Sequence, residues 1–289
     1  MNMIDSHHHL WDLKAVEYPW LNAKGIKRFF GDPTPIQRNY LLDEFRLDAQ
    51  KNGFGSSVHI QVGAQDGLAE AKWVQSISDA NPDWPMVQVV FCDLTSHDLE
   101  SVLDGYLKLP SVRGVRQIIG RAPEEDNSTG TNDLLNSEAF LRGLRSVGER
   151  GLSFDLQLIP GLMEATSKIL KDAPKTKIAL CHAGSPHKRT AKGLEIYAEQ
   201  LGYMSSLSNV TCKLSGLGMF DHGWTTDSIK TIIDICLKQF GENRCMFGSN
   251  FPVDSLYSNY DRLISSYKDI IPRECHSSVF EKVAQRFYF

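Results

Sequence analysis

The sequence predicts an α/β protein folded as a single closed (β/α)8 TIM barrel over 1–289, and three observations predict it. Apolar, β-branched runs alternate with stretches of helical period along the whole length. Eight such units fill a chain of 289 residues, the size of one barrel. Polar and titratable side chains recur at the same, C-terminal end of seven runs, where a barrel builds its site. An open doubly wound sheet is the competing arrangement, but no Gly-rich phosphate turn follows the first run. No internal repeat, low-complexity segment or linker divides the chain.

The first strand is read over 3–12, Met-Ile-Asp-Ser-His-His-His-Leu-Trp-Asp. Strand alternation puts His7 and His9 on one face and His8 on the other. Two imidazoles so spaced can grip one metal ion or one carbonyl oxygen. A tag remnant is the bland explanation, but the run is embedded between Ile4 and Trp11. A long connection over 12–46 follows, rich in aromatics and turn formers. Loops this long inside a compact domain tend to cover a site, so Trp20 is an expected substrate contact.

The second strand, 55–62, carries His59 and Gln61, and a helix is expected over 68–80. The third, 85–94, precedes a helix patterned on Leu99, Val102, Leu103 and Tyr106. The fourth, 112–119, holds Arg113, Arg116 and Gln117, and the polar loop 121–136 could reach over the site. A helix on Phe140, Leu141, Leu144 and Val147 then stops at Gly151. Strands five to seven are 152–159 with Asp155 and Gln157, 175–182 ending in His182, and 209–215 with Lys213 and Ser215. A helix on Ile229, Ile232, Ile233, Cys236 and Phe240 leads to strand eight, 244–249, which runs into Asn250. Two helical segments close the chain.

Each candidate has a plainer explanation. His182 could cap its strand through a backbone hydrogen bond, although in a barrel it converges on His7 and His9. Lys213, in a central strand, needs either an ion pair or a substrate anion, because a lone buried ammonium is costly. Arg116 can hold a carboxylate in a bidentate fork, and only one of Arg113 and Arg116 is expected to face inward. His59 fits a core or supporting role as well as a substrate contact.

A formal net charge of −4 offers no basic stripe, which argues against nucleic acid. No apolar run approaches the ~20 residues of a membrane span. Six cysteines without close pairing suggest a reduced, cytoplasmic protein. A small-molecule substrate, acidic or polyhydroxylated, is the expected partner, and a homo-oligomer is left open.

Six motifs, in order, carry a resemblance across essentially the whole chain. They are Ile-Asp-Ser-His-His-His-Leu-Trp-Asp (4–12), Tyr-Pro-Trp-Leu (18–21), Val-Arg-Gly-Val-Arg-Gln (112–117), Cys-His-Ala-Gly-Ser-Pro (181–186), Cys-Lys-Leu-Ser-Gly-Leu (212–217) and Met-Phe-Gly-Ser-Asn-Phe-Pro-Val-Asp (246–254). Together they resemble the amidohydrolase superfamily, in its amidohydrolase-related branch of sugar-lactone and aromatic-lactone hydrolases. The resemblance implies a centre of His7, His9 and His182, with an aspartate after strand eight. That aspartate position is Asn250 here. A neutral amide has no basic lone pair to take a proton from water. Another group must then be the base, or the reaction differs, or the site only binds. Asp254 is the nearest replacement, with a turn or helix-entry role as its plainer reading.

The resemblance further implies a hydrolase that opens a small lactone by water attack on the ring carbonyl. One Zn2+ on His7, His9 and His182 would polarise the oxygen, or the histidines would do so without metal. Arg116 and Lys213 would hold a substrate carboxylate or hydroxyls. A metal-dependent decarboxylase of an aromatic acid and a catalytically silent barrel that binds an acidic small molecule are the alternatives.

Overall fold

Runs of Val, Ile and Leu buried on both faces need cover on both sides, and here helices outside and a filled axis inside supply it around a closed sheet. The computed structural model describes residues 2–289. Its strands are β1 (Met3–His8), β2 (Phe54–Ile60), β3 (Met86–Phe91), β4 (Val112–Ile118), β5 (Ser153–Gln157), β6 (Lys177–Leu180), β7 (Val210–Leu214) and β8 (Cys245–Phe247). They pair in sequence order, every pair parallel. The seam closes just past β8, where the Asn250 N–H donates to the His7 carbonyl at 2.7 Å and the His9 N–H to the Phe251 carbonyl at 2.8 Å.

Ile4, Val58, Ile60, Val87, Val89 and Met246 fill the axis. The last helix, Val283–Tyr288, stoppers the bottom with Val283, Phe287 and Tyr288. Lys177, the first residue of β6, fixes that stopper by donating to the Phe287 carbonyl at 2.7 Å. Outside, the helices bury one face each against the strands. Thr226–Phe240 is entered through a capping box of Thr225 and Ser228 and buries Ile229, Ile232, Ile233, Cys236 and Phe240.

Several boundaries differ from expectation. The first strand stops at His8 and β8 at Phe247, because the chain must turn inward to build the rim. β6 stops at Leu180, since His182 and Ala183 take left-handed conformations, φ 54° and 51°. The connection after β1 ends before Leu42, where a helix to Lys51 begins, so Arg46 is helical. Its apolar signal is thin, with Leu42, Phe45 and Ala49 alone buried. The polar loop 121–136 contains the helix Pro123–Thr129. Two helices without a sequence-level assignment, Met163–Lys171 and Ala191–Ser205, complete the outer ring.

Candidate active site

The left-handed non-glycine residues are His182, Ala183, Ser185 and Asn250, all where β6 and β8 meet the rim. Each such conformation costs about 1–3 kcal/mol and persists only where the surroundings fix it. Here they turn His182 and Asn250 toward the axis.

A register shift between Asp5 and His8 sets the faces of β1. His8 points outward and stacks on Phe45 at 3.9 Å. His7 points inward, its ring 5.2 Å from that of His9 and 4.5 Å from that of His182. The three expected imidazoles therefore meet. A Cβ at Gly248 would lie 2.5 Å from the His7 Cβ, and one at Gly216 2.4 Å from His182 Nδ1, so both positions need glycine for this approach.

His182 Nδ1 faces the Ser215 hydroxyl at 3.1 Å, and its ring lines the cavity. His9 Nδ1 faces the Ile60 carbonyl at 2.8 Å, and its Nε2 faces Asn250 Oδ1 at 3.2 Å. Neither nitrogen of His7 has a partner. Burial, helped by neighbouring cationic charge, lowers His7 and His182 well below 6.5 and His9 to about 3. All three are neutral at physiological pH.

Asn250 Nδ2 donates to Asp254 Oδ2 at 2.8 Å. Burial raises Asp254 to about 7. Asp254 is fully enclosed and stands behind Asn250, away from the cavity wall. Asp254, read from the sequence as the nearest replacement for the missing aspartate or as a turn residue, thus meets Asn250 rather than the histidines.

The cavity holds about 360 Å³ and is lined by His9, His182, Asn250, Arg116 and Trp20, with His7 beneath. A second compartment of about 470 Å³ adjoins it, sharing Phe29, Arg121 and Gln157. Arg116 donates through Nη1 to the Gln61 carbonyl at 3.0 Å and through Nη2 to Gln157 Oε1. Its Nε has no partner, nor has that of Arg121. Arg28 stands over the Trp20 ring at 5.5 Å, and burial together with Arg121 lowers its pKa. Three guanidiniums and no Asp or Glu line this cavity among the described residues. Arg113 points the other way and donates to Pro110.

The connection after β1 lies across the mouth. Phe29 stacks on Phe220 at 6.0 Å, and the Tyr257 hydroxyl donates to the Phe30 carbonyl at 2.6 Å. Trp20 is pinned by its Nε1–H to the Val62 carbonyl at 2.7 Å.

Two expected substrate contacts do not reach the cavity. Lys213 is fully buried and pairs with Asp155 Oδ2 at 2.6 Å, its Nζ also donating to the Ser6 carbonyl at 2.8 Å. The ion-pair alternative is the one realised. His59 lies on the outer face of β2 beside His8, with Nε2 3.3 Å from the Leu10 carbonyl. Alternation explains it, since Val58 and Ile60 take the inner face. Sequence reasoning missed Arg28, because nothing local distinguishes it from the neighbouring Lys24 and Lys27.

The chain belongs to the amidohydrolase family, whose model matches residues 4–289. An uncharacterized protein, y4mH, of Sinorhizobium fredii is 34% identical over 99% of this chain and 98% of its own length. An L-fucono-1,5-lactonase of Burkholderia multivorans is 24% identical, covering 91% of this chain and 86% of its own. A crystal structure of an amidohydrolase from Burkholderia multivorans with bound zinc superposes with a TM-score of 0.84 at 22% identity, over 100% of this chain and 99% of that one.

Zinc takes imidazole ligands, and three neutral rings are the right donors. Their placement does not fit. Among the described residues no three His, Cys, Asp or Glu side chains are placed to hold one ion. The carboxylate that could balance the charge, Asp254, is screened by Asn250.

Proposed function

We propose that this chain is a hydrolase that opens the ring ester of a small, anionic lactone at the C-terminal mouth of its barrel. The observation that carries the reading is a cavity in which a neutral His182 faces three guanidiniums with no acidic residue in the wall. Arg121 meets Glu125 of the adjoining compartment at 3.8 Å, but Arg116 has no carboxylate partner; a buried guanidinium so placed is costly, and a substrate carboxylate on Arg116, with Arg28 near the rim, relieves it. With Nδ1–H donating to Ser215, the His182 Nε2 lone pair faces the bound ester. Water attacks the ring carbonyl and gives a proton to that nitrogen. The carbonyl carbon then releases the ring oxygen, which takes the proton back as a hydroxyl. His7 buttresses the His9 and His182 rings from beneath, while the Ile60 carbonyl, accepting from His9 Nδ1–H, fixes the His9 ring, and Asp254 orients Asn250. Trp20 and Phe29 wall the substrate off from solvent.

The lactonase among the relatives supports the reaction class. Among the described residues no helix is long and apolar enough to cross a membrane. Six unpaired thiols support a reducing, cytoplasmic setting. A pH-indicator screen of carboxylated lactones beside their neutral counterparts tests the proposal. Acid release faster from the carboxylated members supports it. No acid release from any lactone, or carbon dioxide release from an aromatic acid, overturns it.

A further inference from the structure

The penultimate residue of the chain reaches toward the site from below. Tyr288 belongs to the stopper helix, and its ring lies in the bottom of the axis. Its hydroxyl donates to the Asp155 carboxylate, 2.9 Å from Oδ1 and 2.8 Å from Oδ2. Asp155 holds the Lys213 ammonium at 2.6 Å, and that ammonium lies 4.8 Å from the centre of the Tyr288 ring. Lys213 also grips the Ser6 carbonyl at 2.8 Å, on the peptide that leads into His7. The N–H of the same peptide donates to Asp5 Oδ1 at 3.1 Å. The peptide that aims His7 is thus held from both sides, and one side runs back to the chain terminus.

A buried ion pair keeps its geometry only when further hydrogen bonds satisfy its remaining lone pairs. Tyr288 supplies the short one to Asp155, beside a longer one from the Ser153 hydroxyl at 3.4 Å. Without the hydroxyl, the carboxylate draws Lys213 closer and loosens its grip on Ser6. We propose that Tyr288 is a positioning residue for the histidine cluster, acting through Asp155 and Lys213 on the peptide before His7. Its bearing on turnover rests on the lactonase reading; its effect on His7 does not.

The test is Tyr288→Phe, which keeps the ring in the stopper and removes only the hydroxyl. Ring-labelled histidine followed by NMR needs no substrate. The His7 and His182 resonances should shift in this variant while those of His97 and His276 stay in place. On a lactone substrate, kcat should fall roughly fivefold with KM unchanged, the pattern of lost positioning rather than lost binding. Phe287→Leu thins the same stopper without touching the hydroxyl, so it should lower the melting temperature and leave those resonances unmoved. Unmoved His7 and His182 signals in folded Tyr288→Phe overturn the proposal, and so do equal shifts in both variants. Shifted signals with no lactone turned over leave this coupling standing and end the lactonase reading.

Discussion

His182→Asn is the substitution that separates the chemistry from the fold. At φ 54° the position is left-handed, a region that Asn enters more readily than other non-glycine residues. The shorter amide can still meet the Ser215 hydroxyl, now 3.1 Å from Nδ1, but it has no atom in the place of Nε2. Losing the ring leaves a gap beside His7, 4.5 Å away between centroids, and should destabilise by about 1–3 kcal/mol. That lowers the melting temperature by a few degrees in a chain of this size, which thermal denaturation reads directly. Loss of general-base assistance costs about 10²–10⁴-fold in kcat. KM should change little, because Arg116 and Trp20 are untouched. Acid release followed with a pH indicator gives both constants. A folded variant turning over within about threefold of the native protein would refute His182 as the base.

Three further outcomes follow from the same geometry. Burial holds His182 well below 6.5, so the base stays unprotonated as the solution is acidified and the acid limb of kcat/KM should lie well under that value; a limb near 6.5 in a pH profile contradicts this. Asp254→Asn keeps an acceptor for Asn250 and should leave turnover within about threefold, whereas a hundredfold loss would bring the Asp254 proton into the reaction. Glu70, buried behind the cavity wall and bonded to the Val62 N–H at 3.1 Å, is raised from 4.5 to about 8 by burial. Its contribution to stability is therefore full below about 4.5 and is lost as pH rises through about 8. Glu70→Gln mimics the protonated form, so its melting temperature should fall less steeply over that interval than that of the native protein, in which Asp254 and Glu70 both titrate; parallel curves would refute the assignment.

The barrel was legible because the strand runs carry their own period and their polar ends align. His7, His9 and His182 were legible for the same reason, each ending or interrupting an apolar run. What the sequence left hidden was direction. Lys213 and Asp155 sit on different strands, and only the register of the closed barrel brings them to 2.6 Å. His59 shares its strand with inward-facing Val58 and Ile60, and a one-residue offset turns it outward. Asp254 lies four residues after Asn250, yet the backbone turn at Asn250, φ 58°, sets it behind the amide rather than beside the histidines. Arg28 comes to the cavity only because its connection folds back over the mouth, a tertiary event with no local signature.

Turnover in water enriched in oxygen-18 tests water attack on the ring carbonyl most directly. With a carboxylated lactone, mass spectrometry of the opened product should find one heavy oxygen, in the newly formed carboxyl group. Label in the newly formed hydroxyl instead, or an opened product with no label, would contradict the mechanism.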